Sequence, residues 1–308
     1  MKATRLQLAL GFLCIYIVWG STYLAIRFAV ATIPPFIMGG VRFMIAGSLL
    51  YGWSRMRGSA KPTREHWKNA FIVGALLLLV GNGAVAWAEQ RVDSGLTSLL
   101  VATMPLWLVL AELYNRRRPQ LLQWVAVAAG LVGVALLVLP TGSGASKTSA
   151  VDATGATVLL IGSLSWTIGS LFARSAKLAA PQTLASGMQM LCGGALMLAL
   201  SLVSGEWTDF HASAVSTNSI LGLIYLVFFG SIVGFSTYMW LLSVAKPAAV
   251  GTYAYVNPVV AVLLGVVIGG ETLPASAGLA MLIIVGSVAL VSLTPYLRRR
   301  ESPASNAT

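Results

Sequence analysis

Long apolar runs alternate with short polar joints along almost the whole sequence. A helix that crosses a bilayer needs about 20 mostly apolar residues, and the joints carry the Gly, Pro and polar residues that end such helices. Ten runs reach that length, at 6–28, 34–53, 68–89, 95–114, 121–140, 153–174, 181–203, 218–243, 248–269 and 274–296. The pattern therefore predicts an all-α polytopic membrane protein with ten transmembrane helices.

The second half of the sequence repeats the first. Residues 153 positions apart match from about residue 70 to 140, and residues 147 positions apart match before that. The matches involve rare residue types, namely Trp19 with Trp166, Arg27 with Arg174, Pro34 with Pro181, Trp87 with Trp240 and Pro105 with Pro258. We expect two five-helix repeats at 1–140 and 153–296, a periplasmic linker at 141–152 and a cytoplasmic tail at 297–308. Because five is odd, the second repeat must be inverted in the membrane.

Basic residues lie mostly on one side of this predicted topology. With the N-terminus inside, sixteen Lys and Arg residues are cytoplasmic and three, Arg27, Arg91 and Lys147, are outside. The positive-inside rule then predicts that both termini are cytoplasmic. The net charge of +11 reflects this topology and contact with anionic membrane lipids, and no nucleic-acid partner is expected.

Composition narrows the function classes. The sequence is 57% hydrophobic and 9% charged, whereas soluble domains carry about 25% charged residues, so an ordinary soluble enzyme is excluded. The two Cys and two His are far apart, with no metal-ligand spacing. The sequence contains no nucleophile–base pair and no phosphate-binding glycine loop, so we expect no catalytic residues, no cofactor and no metal site.

The run at 248–269 combines polar side chains with a proline at membrane depth. Tyr253 and Asn257 share one helical face, and Pro258 leaves a backbone carbonyl without its usual donor. Inside lipid, such groups need protein or cavity water, so we predict helix breaks at Pro105 and Pro258 beside a cavity. The alternative is that the prolines and the tyrosine serve helix packing and the interface.

Matching stripes of aromatic and polar residues run along the first and sixth helices. Trp19 and Trp166 lie in the middle of their runs, away from the interfacial aromatic belts, which favours a cavity, although such stripes more often pack. The substrate-binding candidates from these stripes and from the residues flanking Pro105 are Trp19, Tyr23, Trp166, Ser170, Met104 and Trp107.

Arg42 is a charged residue at membrane depth, where insertion costs about 2.5–3.5 kcal/mol. It follows Pro34 by eight residues, too far into the helix for a loop position. One interpretation is an anchor for an anionic group such as a substrate carboxylate. The other is a structural arginine that holds helix ends or backbone carbonyls.

Glu89 ends the third run and shares a helical stripe with Asn82, a further cavity candidate. An intramembrane carboxyl binds a cationic substrate group or carries a coupling proton. The alternative is an interfacial carboxylate paired with Arg27 or Arg91. Both alternatives stay open, and so does the choice between a proton and no coupling ion.

Several short motifs occur together: WGSTY at 19–23, PP at 34–35 with GVRF at 40–43, GNG at 81–83, AE at 88–89, SG at 94–95, and YAYVNP at 253–258 with GETL at 270–273. Together they resemble the EamA-type branch of the drug/metabolite transporter superfamily over nearly the whole length. The resemblance implies a ten-helix inverted-repeat exporter whose cavity is lined by the first, third and fourth helices of each repeat. On those helices lie Trp19, Asn82, Met104, Trp166, Phe235, Tyr253 and Asn257.

Two departures from the family pattern concern acidic residues. Many members have Glu after the fourth helix of both repeats, whereas Arg118 stands there in the first repeat. The first run also contains no acid, unlike the small four-helix relatives whose proton coupling depends on a Glu there.

The expected function is that of an inner-membrane secondary transporter that exports small organic metabolites, amino acids or amphipathic drugs by alternating access. Its expected partners are a small-molecule substrate and membrane lipids. Import of a small solute is the nearer alternative, and a non-transporting sensor or scaffold the more distant one. The tail after Tyr296 is short and polar, which does not favour an output domain.

Overall fold

The computed structural model describes residues 4–114, 121–138, 152–245, 247–272, 277–287 and 289–290. Within these ranges the regular structure is entirely helical, and they contain no strand. The first half contains α1 Arg5–Val30, α2 Pro35–Met56, α3 Arg64–Val73, α4 Gly83–Ala88, α5 Ser94–Val101, α6 Met104–Tyr114 and α7 Leu121–Val138. The second half contains α8 Ala153–Ser175, α9 Gln182–Val203, α10 Glu206–Asp209, α11 Thr217–Tyr225, α12 Ser236–Val244, α13 Pro247–Val250, α14 Tyr253–Val267 and α15 Ala277–Ser287.

Six helical runs are long and apolar enough to cross a membrane. They are Arg5–Val30, Pro35–Met56, Arg64–Ala88, Ala153–Ser175, Gln182–Val203 and Thr217–Val244. Three shorter apolar helices are Leu121–Leu136, Val256–Val267 and Ala277–Ser287. The all-α multi-pass fold is confirmed, while the count of ten helices stays a prediction. The predicted linker at 141–152, apart from Asp152, and the tail at 297–308 lie outside the described residues.

Side chains at helix starts explain where several helices begin. In α1, Thr4 and Gln7 form a capping box, in which each side chain bonds the other residue's backbone N–H. At the start of α8, the Asp152 carboxylate accepts the Gly155 N–H at 2.9 Å. The start of α2 is capped by a residue distant in the sequence, because the Glu206 carboxylate accepts the N–H groups of residues 36 and 37. Burial raises the pKa of the Glu206 carboxyl, against the opposing effect of these two donors.

Large apolar side chains cover the outside of the bundle. On α1, Leu6, Leu10, Leu13 and Ile17 are all more than half exposed and recur at helical spacing on one face. The opposite face of α1 is also apolar, because it buries Ile15 in the interior. A helix that is apolar all round fits a position between lipid and a packed bundle.

Glycines allow α2 and α9 to approach closely. A Cβ atom at Gly47 would lie 2.8 Å from the Leu191 backbone nitrogen, and one at Gly194 would lie 2.9 Å from the Met44 backbone nitrogen. Gly194 and Leu191 are the repeat partners of Gly47 and Met44, each 147 residues later. The contact is therefore reciprocal, as a twofold relation between two repeats would require. The inverted repeat itself stays a prediction.

Two membrane helices contain a wider π-helical segment, at Gly74–Asn82 between α3 and α4 and at Leu226–Phe235 between α11 and α12. The last residues of these two segments are 153 positions apart in the sequence. π-helical segments in other proteins often occur at functional sites. Both segments end at residues that the sequence analysis places near a cavity, Asn82 and Phe235.

The helix breaks lie before the two prolines, at unequal distances. Residues 102–103 form a turn between α5 and α6, and Pro105 is the second residue of α6. In the second half the turn is at residues 251–252, and Pro258 lies inside α14. A proline in the first turn of a helix needs no N–H partner, so Pro105 fits the position predicted for it. Pro258 does not break its helix, because the interruption comes earlier.

Candidate functional site

A cavity lies among the helices near the middle of the molecule. Its volume is about 630 Å³, including space open to solvent. Its walls come from α1, α2, α8, α14 and both π-helical segments. Seven predicted site residues line this central cavity: Trp19, Tyr23, Arg42, Asn82, Trp166, Phe235 and Tyr253.

Four aromatic side chains pack together at one end of the central cavity. Trp19 contacts the rings of Trp166, Tyr238 and Tyr253 at centroid distances of 5.5, 4.8 and 5.4 Å. Tyr238 also contacts Trp166 and Tyr253, at 5.6 and 5.9 Å. Such pairs contribute about 0.5–1.5 kcal/mol each beyond the area they bury. These contacts join the four rings into one aromatic cluster, Trp19, Trp166, Tyr238 and Tyr253.

Hydrogen bonds hold two of the rings in place. The hydroxyl of Tyr238 accepts the indole N–H of Trp166 at 3.0 Å and pairs with the hydroxyl of Ser170 at 2.7 Å. The Tyr253 hydroxyl donates to the sulfur of Met104 at 3.1 Å. Ser170 and Met104, both predicted as site residues, thus support the aromatic cluster and do not line the central cavity.

A second cavity borders the aromatic cluster at Tyr238. Its volume is about 330 Å³, again including space open to solvent. Tyr238 of the cluster lines it, as do Met104 and Ser170, which bond to the cluster, and Arg174 and Gly251. In the predicted topology, Arg174 lies on the cytoplasmic side, so we call this the inner cavity.

Arg42 lies in the wall of the central cavity and is only 4% exposed. Its Nε donates to the Ser231 hydroxyl at 2.7 Å. Its guanidinium carbon lies 4.7 Å from the centre of the Phe43 ring, within the range of a cation–π contact. The prediction that this residue faces the bundle interior fits this position.

Glu89 is 3% exposed and does not line the central cavity. Neither carboxyl oxygen has a hydrogen-bond partner of normal geometry among the described residues, although the Arg27 backbone lies near enough to interact with it. The charged groups close enough to affect it are Arg27, Arg42 and Glu271. Arg27 and Arg91 were the two ion-pair partners considered for Glu89. The guanidinium carbon of Arg91 lies over the Trp87 ring, 4.2 Å from its centre.

Arg27 and Glu271 form a separate network at the end of α1. Arg27 forms an ion pair with Asp93 and lies 3.4 Å from a carboxylate oxygen of Glu271. Glu271 also accepts the backbone N–H groups of Ser94 and Gly95, at 3.0 and 3.2 Å. A carboxylate at a helix N-terminus satisfies free N–H groups and the helix dipole, so Glu271 fixes the start of α5.

Asn257 and Trp107 contact other helices and not the central cavity. In the orientation that satisfies its neighbours, the Asn257 amide donates to the carbonyls of Tyr253 and Tyr16, at 3.2 and 3.1 Å. It therefore ties α14 to α1. The indole of Trp107 donates to the Ser163 hydroxyl at 2.8 Å, and Ser163 is part of the cavity wall.

Tyr238 is a residue of the site that the sequence pattern did not predict. Its repeat partner is the aliphatic Val85, so the repeat gave no signal. It follows Phe235 by three residues, and two large aromatic residues at that spacing share a helical face. That spacing was the available signal. Among the described residues, no group of His, Cys, Asp or Glu is arranged to hold a metal ion.

Comparison with known proteins gives one family. The profile of the EamA-like transporter family matches residues 7–139 and again residues 153–293. The uncharacterized inner membrane transporter YedA of Escherichia coli K12 is 40% identical over 92% of this chain and 90% of its own length. The uncharacterized transporter YvbV of Bacillus subtilis is 24% identical over 95% and 93% of the two chains. The predicted resemblance is confirmed.

One solved structure, described only as the crystal structure of a protein, has a TM-score of 0.63 and 20% identity. It covers 92% of this chain and 97% of that chain, and at this identity the likeness shows the fold alone. The YedA relationship and the apolar helices together confirm the predicted location in the inner membrane, with several passes.

Proposed function

The chain belongs to the EamA-like transporter family, and from that premise we propose that it exports small organic metabolites, amino acids or amphipathic drugs across the inner membrane as a secondary transporter. The mechanism we propose is alternating access, in which helices rock around a central site. The observation that carries this proposal is a pair of cavities that share the aromatic cluster, since Trp19, Trp166 and Tyr253 line the central cavity and Tyr238 lines the inner one.

Alternating access needs a binding space that faces one side and a barrier toward the other. Tyr23 and Ile26, in the outer part of α1, line the central cavity, which therefore extends toward the predicted outer side. Arg174, near the cytoplasmic end of α8, lines the inner cavity. In this proposal the substrate passes from the inner cavity to the central cavity when the aromatic cluster opens.

The proposed architecture is ten helices in two inverted repeats, at 1–140 and 153–296. The family profile matches the chain twice, which supports this division. The reciprocal glycine contact between α2 and α9 and the matching π-helical segments support it as well. An inverted repeat gives a transporter two related halves whose exchange of conformation opens one side and closes the other.

The test of this proposal is transport by the purified protein in sealed proteoliposomes. The vesicles are loaded with a mixed pool of amino acids and small amphiphiles, with and without a pH gradient. We expect selective loss of one compound or one chemical group of compounds. Trp19→Ala, which removes the residue at the centre of the aromatic cluster, should change this flux at least about tenfold, because substrate contact and barrier depend on it.

Leu13→Ala is the matched control. Leu13 lies on the same helix but is 52% exposed on the outer face, so its variant should transport like the wild type. Uptake in place of loss, with the same orientation in the vesicle, would identify an importer. No flux of any compound, from folded and correctly inserted protein, would contradict the transporter proposal and favour a sensor.

A further inference from the structure

We infer that Arg42 forms an anion-binding subsite in the central cavity, which holds the carboxylate or a similar anionic group of a substrate with an otherwise apolar body. This inference rests on the proposed function, because it names the chemical class that the same cavity takes. Its first observation is that the guanidinium is fixed before any ligand binds.

Three neighbours hold the guanidinium in one orientation. Ser231 accepts from Nε at 2.7 Å, and the Phe43 ring lies 4.7 Å from the guanidinium carbon. Gly230 packs against a terminal nitrogen, since a Cβ there would lie 2.8 Å from Nη2. A fixed, planar group loses little freedom when it binds a ligand.

The two terminal nitrogens of Arg42 have no hydrogen-bond acceptor among the described residues. Its hydrogen bond to the protein is made by Nε, and its electrostatic neighbour Glu89 accepts from no nitrogen of Arg42. A structural arginine inside a membrane protein uses its donors on carboxylates or backbone carbonyls. Here the side chain is 4% exposed, and Arg42 is one of the residues that line the central cavity.

The geometry of these donors matches a carboxylate. The terminal N–H groups of a guanidinium form a planar fork that two carboxylate oxygens accept together. A neutral hydroxyl or amide satisfies the fork less well, and an ammonium group is repelled. The free fork therefore favours one anionic group over its neutral and cationic analogues.

The charge and composition of the rest of the cavity wall indicate what the remainder of the ligand, beyond its anionic group, is like. Among the described residues that line the central cavity, Arg42 is the single charged one. Glu89 is close enough to lower the net local charge but is outside the lining, so it offers no acceptor to a substrate ammonium group. The surrounding wall is largely aromatic, from Trp19, Tyr23, Phe43, Trp166, Phe235 and Tyr253.

The test is equilibrium binding to the purified full-length protein in lipid nanodiscs. The probes share one body and differ in charge: 3-phenylpropanoate, 3-phenylpropanamide and 3-phenylpropylamine. Binding is followed by tryptophan fluorescence, since Trp19 and Trp166 line the cavity, and by calorimetry. We expect the propanoate to bind about tenfold or more tightly than the amide, as hydrogen bonds to a charged group allow, and the amine most weakly.

Variants assign the preference to Arg42. Arg42→Gln should bind the propanoate and the amide equally, while Arg42→Lys, a point charge without the fork, should keep part of the preference. Gly230→Ala keeps the charge but displaces the guanidinium, and should weaken the propanoate more than the amide. Arg57→Gln is the control, because Arg57 lies at the predicted cytoplasmic end of α2 and contacts Trp53. This variant should bind the three probes with the same affinities as the wild type.

Three results would overturn the inference. They are equal binding of the three probes by the wild type, no binding of any anion in a series from acetate to 3-phenylpropanoate, or a folded Arg42→Gln that keeps the preference. If Arg42→Gln does not fold, the probe ranking and Gly230→Ala decide. Because binding is measured without transport, anion binding without flux would contradict only the proposed function. Flux without anion preference would contradict only this inference.

Discussion

Tyr238 belongs to the aromatic cluster, whose other three residues line the central cavity, and itself lines the inner cavity. Its hydroxyl joins Trp166 to Ser170 by hydrogen bonds. A ring held from both sides in this way can act as a barrier between the cavities. Tyr238 lies in α12, just after a π-helical segment. A small change of helical register in that segment would therefore move the Tyr238 ring.

Substitution of Tyr238 should separate the role of its ring from that of its hydroxyl. Tyr238→Phe removes two hydrogen bonds and should lower the free energy of unfolding by about 1–3 kcal/mol, because it leaves the Trp166 N–H unpaired. Tyr238→Ala removes the ring as well and should let a small tracer leak through proteoliposomes several-fold faster.

The control for the leak is Phe228→Ala in the same helical run. Phe228 is 50% exposed, so its loss should not open a path through the bundle. Equal leak rates for Tyr238→Ala and the wild type would show that the aromatic cluster is not the barrier.

Glu89 is a carboxyl group that is buried without a hydrogen-bond partner of normal geometry among the described residues. The groups whose charges act on it are Arg27, Arg42 and Glu271, and it acts in turn on Tyr23. If it carries the coupling proton, Glu89→Gln should abolish the dependence of flux on a pH gradient, because glutamine cannot exchange a proton. Flux is measured at several gradients, with binding of the substrate checked separately.

Glu65→Gln is the matched control for that variant. Glu65 is an exposed carboxylate that lies 3.5 Å from Lys177 at the surface, where an ion pair contributes little. Its variant should keep the gradient dependence of the wild type. A Glu89→Gln protein with unchanged gradient dependence would remove the coupling role and leave a transporter without a coupled proton.

The sequence predicted many of these residues because each is unusual for its position. A tryptophan in mid-membrane, such as Trp19, or an arginine such as Arg42 stands out against an apolar background. Tyr238 was missed because its repeat partner is the aliphatic Val85, so comparison of the two repeats did not mark the position. Asn257 was expected to face the cavity with Tyr253, but its amide donates to the Tyr16 carbonyl on α1, and that neighbour depends on how α14 packs on α1.

Helix pairs in this protein are positioned by glycines and by distant caps. Between α2 and α9, glycines without a side chain let the two backbones approach closely. They are Gly40 and Gly47 on α2, and Gly187 and Gly194 on α9. At the other end of the bundle, the Glu271 carboxylate reaches from beyond α14 to the start of α5. These glycines recur 147 residues apart, at the spacing of the repeat, whereas nothing in the sequence predicts which helix start a given carboxylate will cap.

The reciprocity of the α2–α9 contact leads to a prediction about stability. Gly47→Ala and Gly194→Ala each place a Cβ within 3 Å of a backbone nitrogen of the other helix, where neither neighbour can move aside. Overpacking of this kind costs about 1–3 kcal/mol. We expect both variants to lower the thermal unfolding midpoint in detergent by similar amounts, since the two positions are related by the repeat.

Gly52→Ala is the matched control, because it makes the same substitution outside the α2–α9 contact. It lies in α2 as well, but a Cβ there would meet nothing within 4 Å. Its variant should be as stable as the wild type or slightly more stable, because alanine favours the helix. A large effect at Gly47 with none at Gly194 would mean that the two halves do not meet symmetrically.

At the scale of the whole molecule, the proposed mechanism depends on the second half being inverted with respect to the first. Six runs are long and apolar enough to span, and the shorter helices and the part of the chain outside the described residues decide whether the total is ten. A matching pair of loops offers a direct test, because inversion puts equivalent loops on opposite sides of the membrane. The loop between α2 and α3 is equivalent to the loop region between α9 and α11.

Single cysteines in these two loops should therefore react from opposite sides. In a background where Cys14 and Cys192 are replaced by alanine, we expect Ser213→Cys to react with a membrane-impermeant thiol reagent in intact cells. Ala60→Cys should react only after the cells are permeabilised, since the positive-inside rule puts its loop in the cytoplasm. Both positions are exposed, so a lack of reaction cannot come from burial. Reaction of both from the same side would rule out the inverted repeat and, with it, rocking of two related halves.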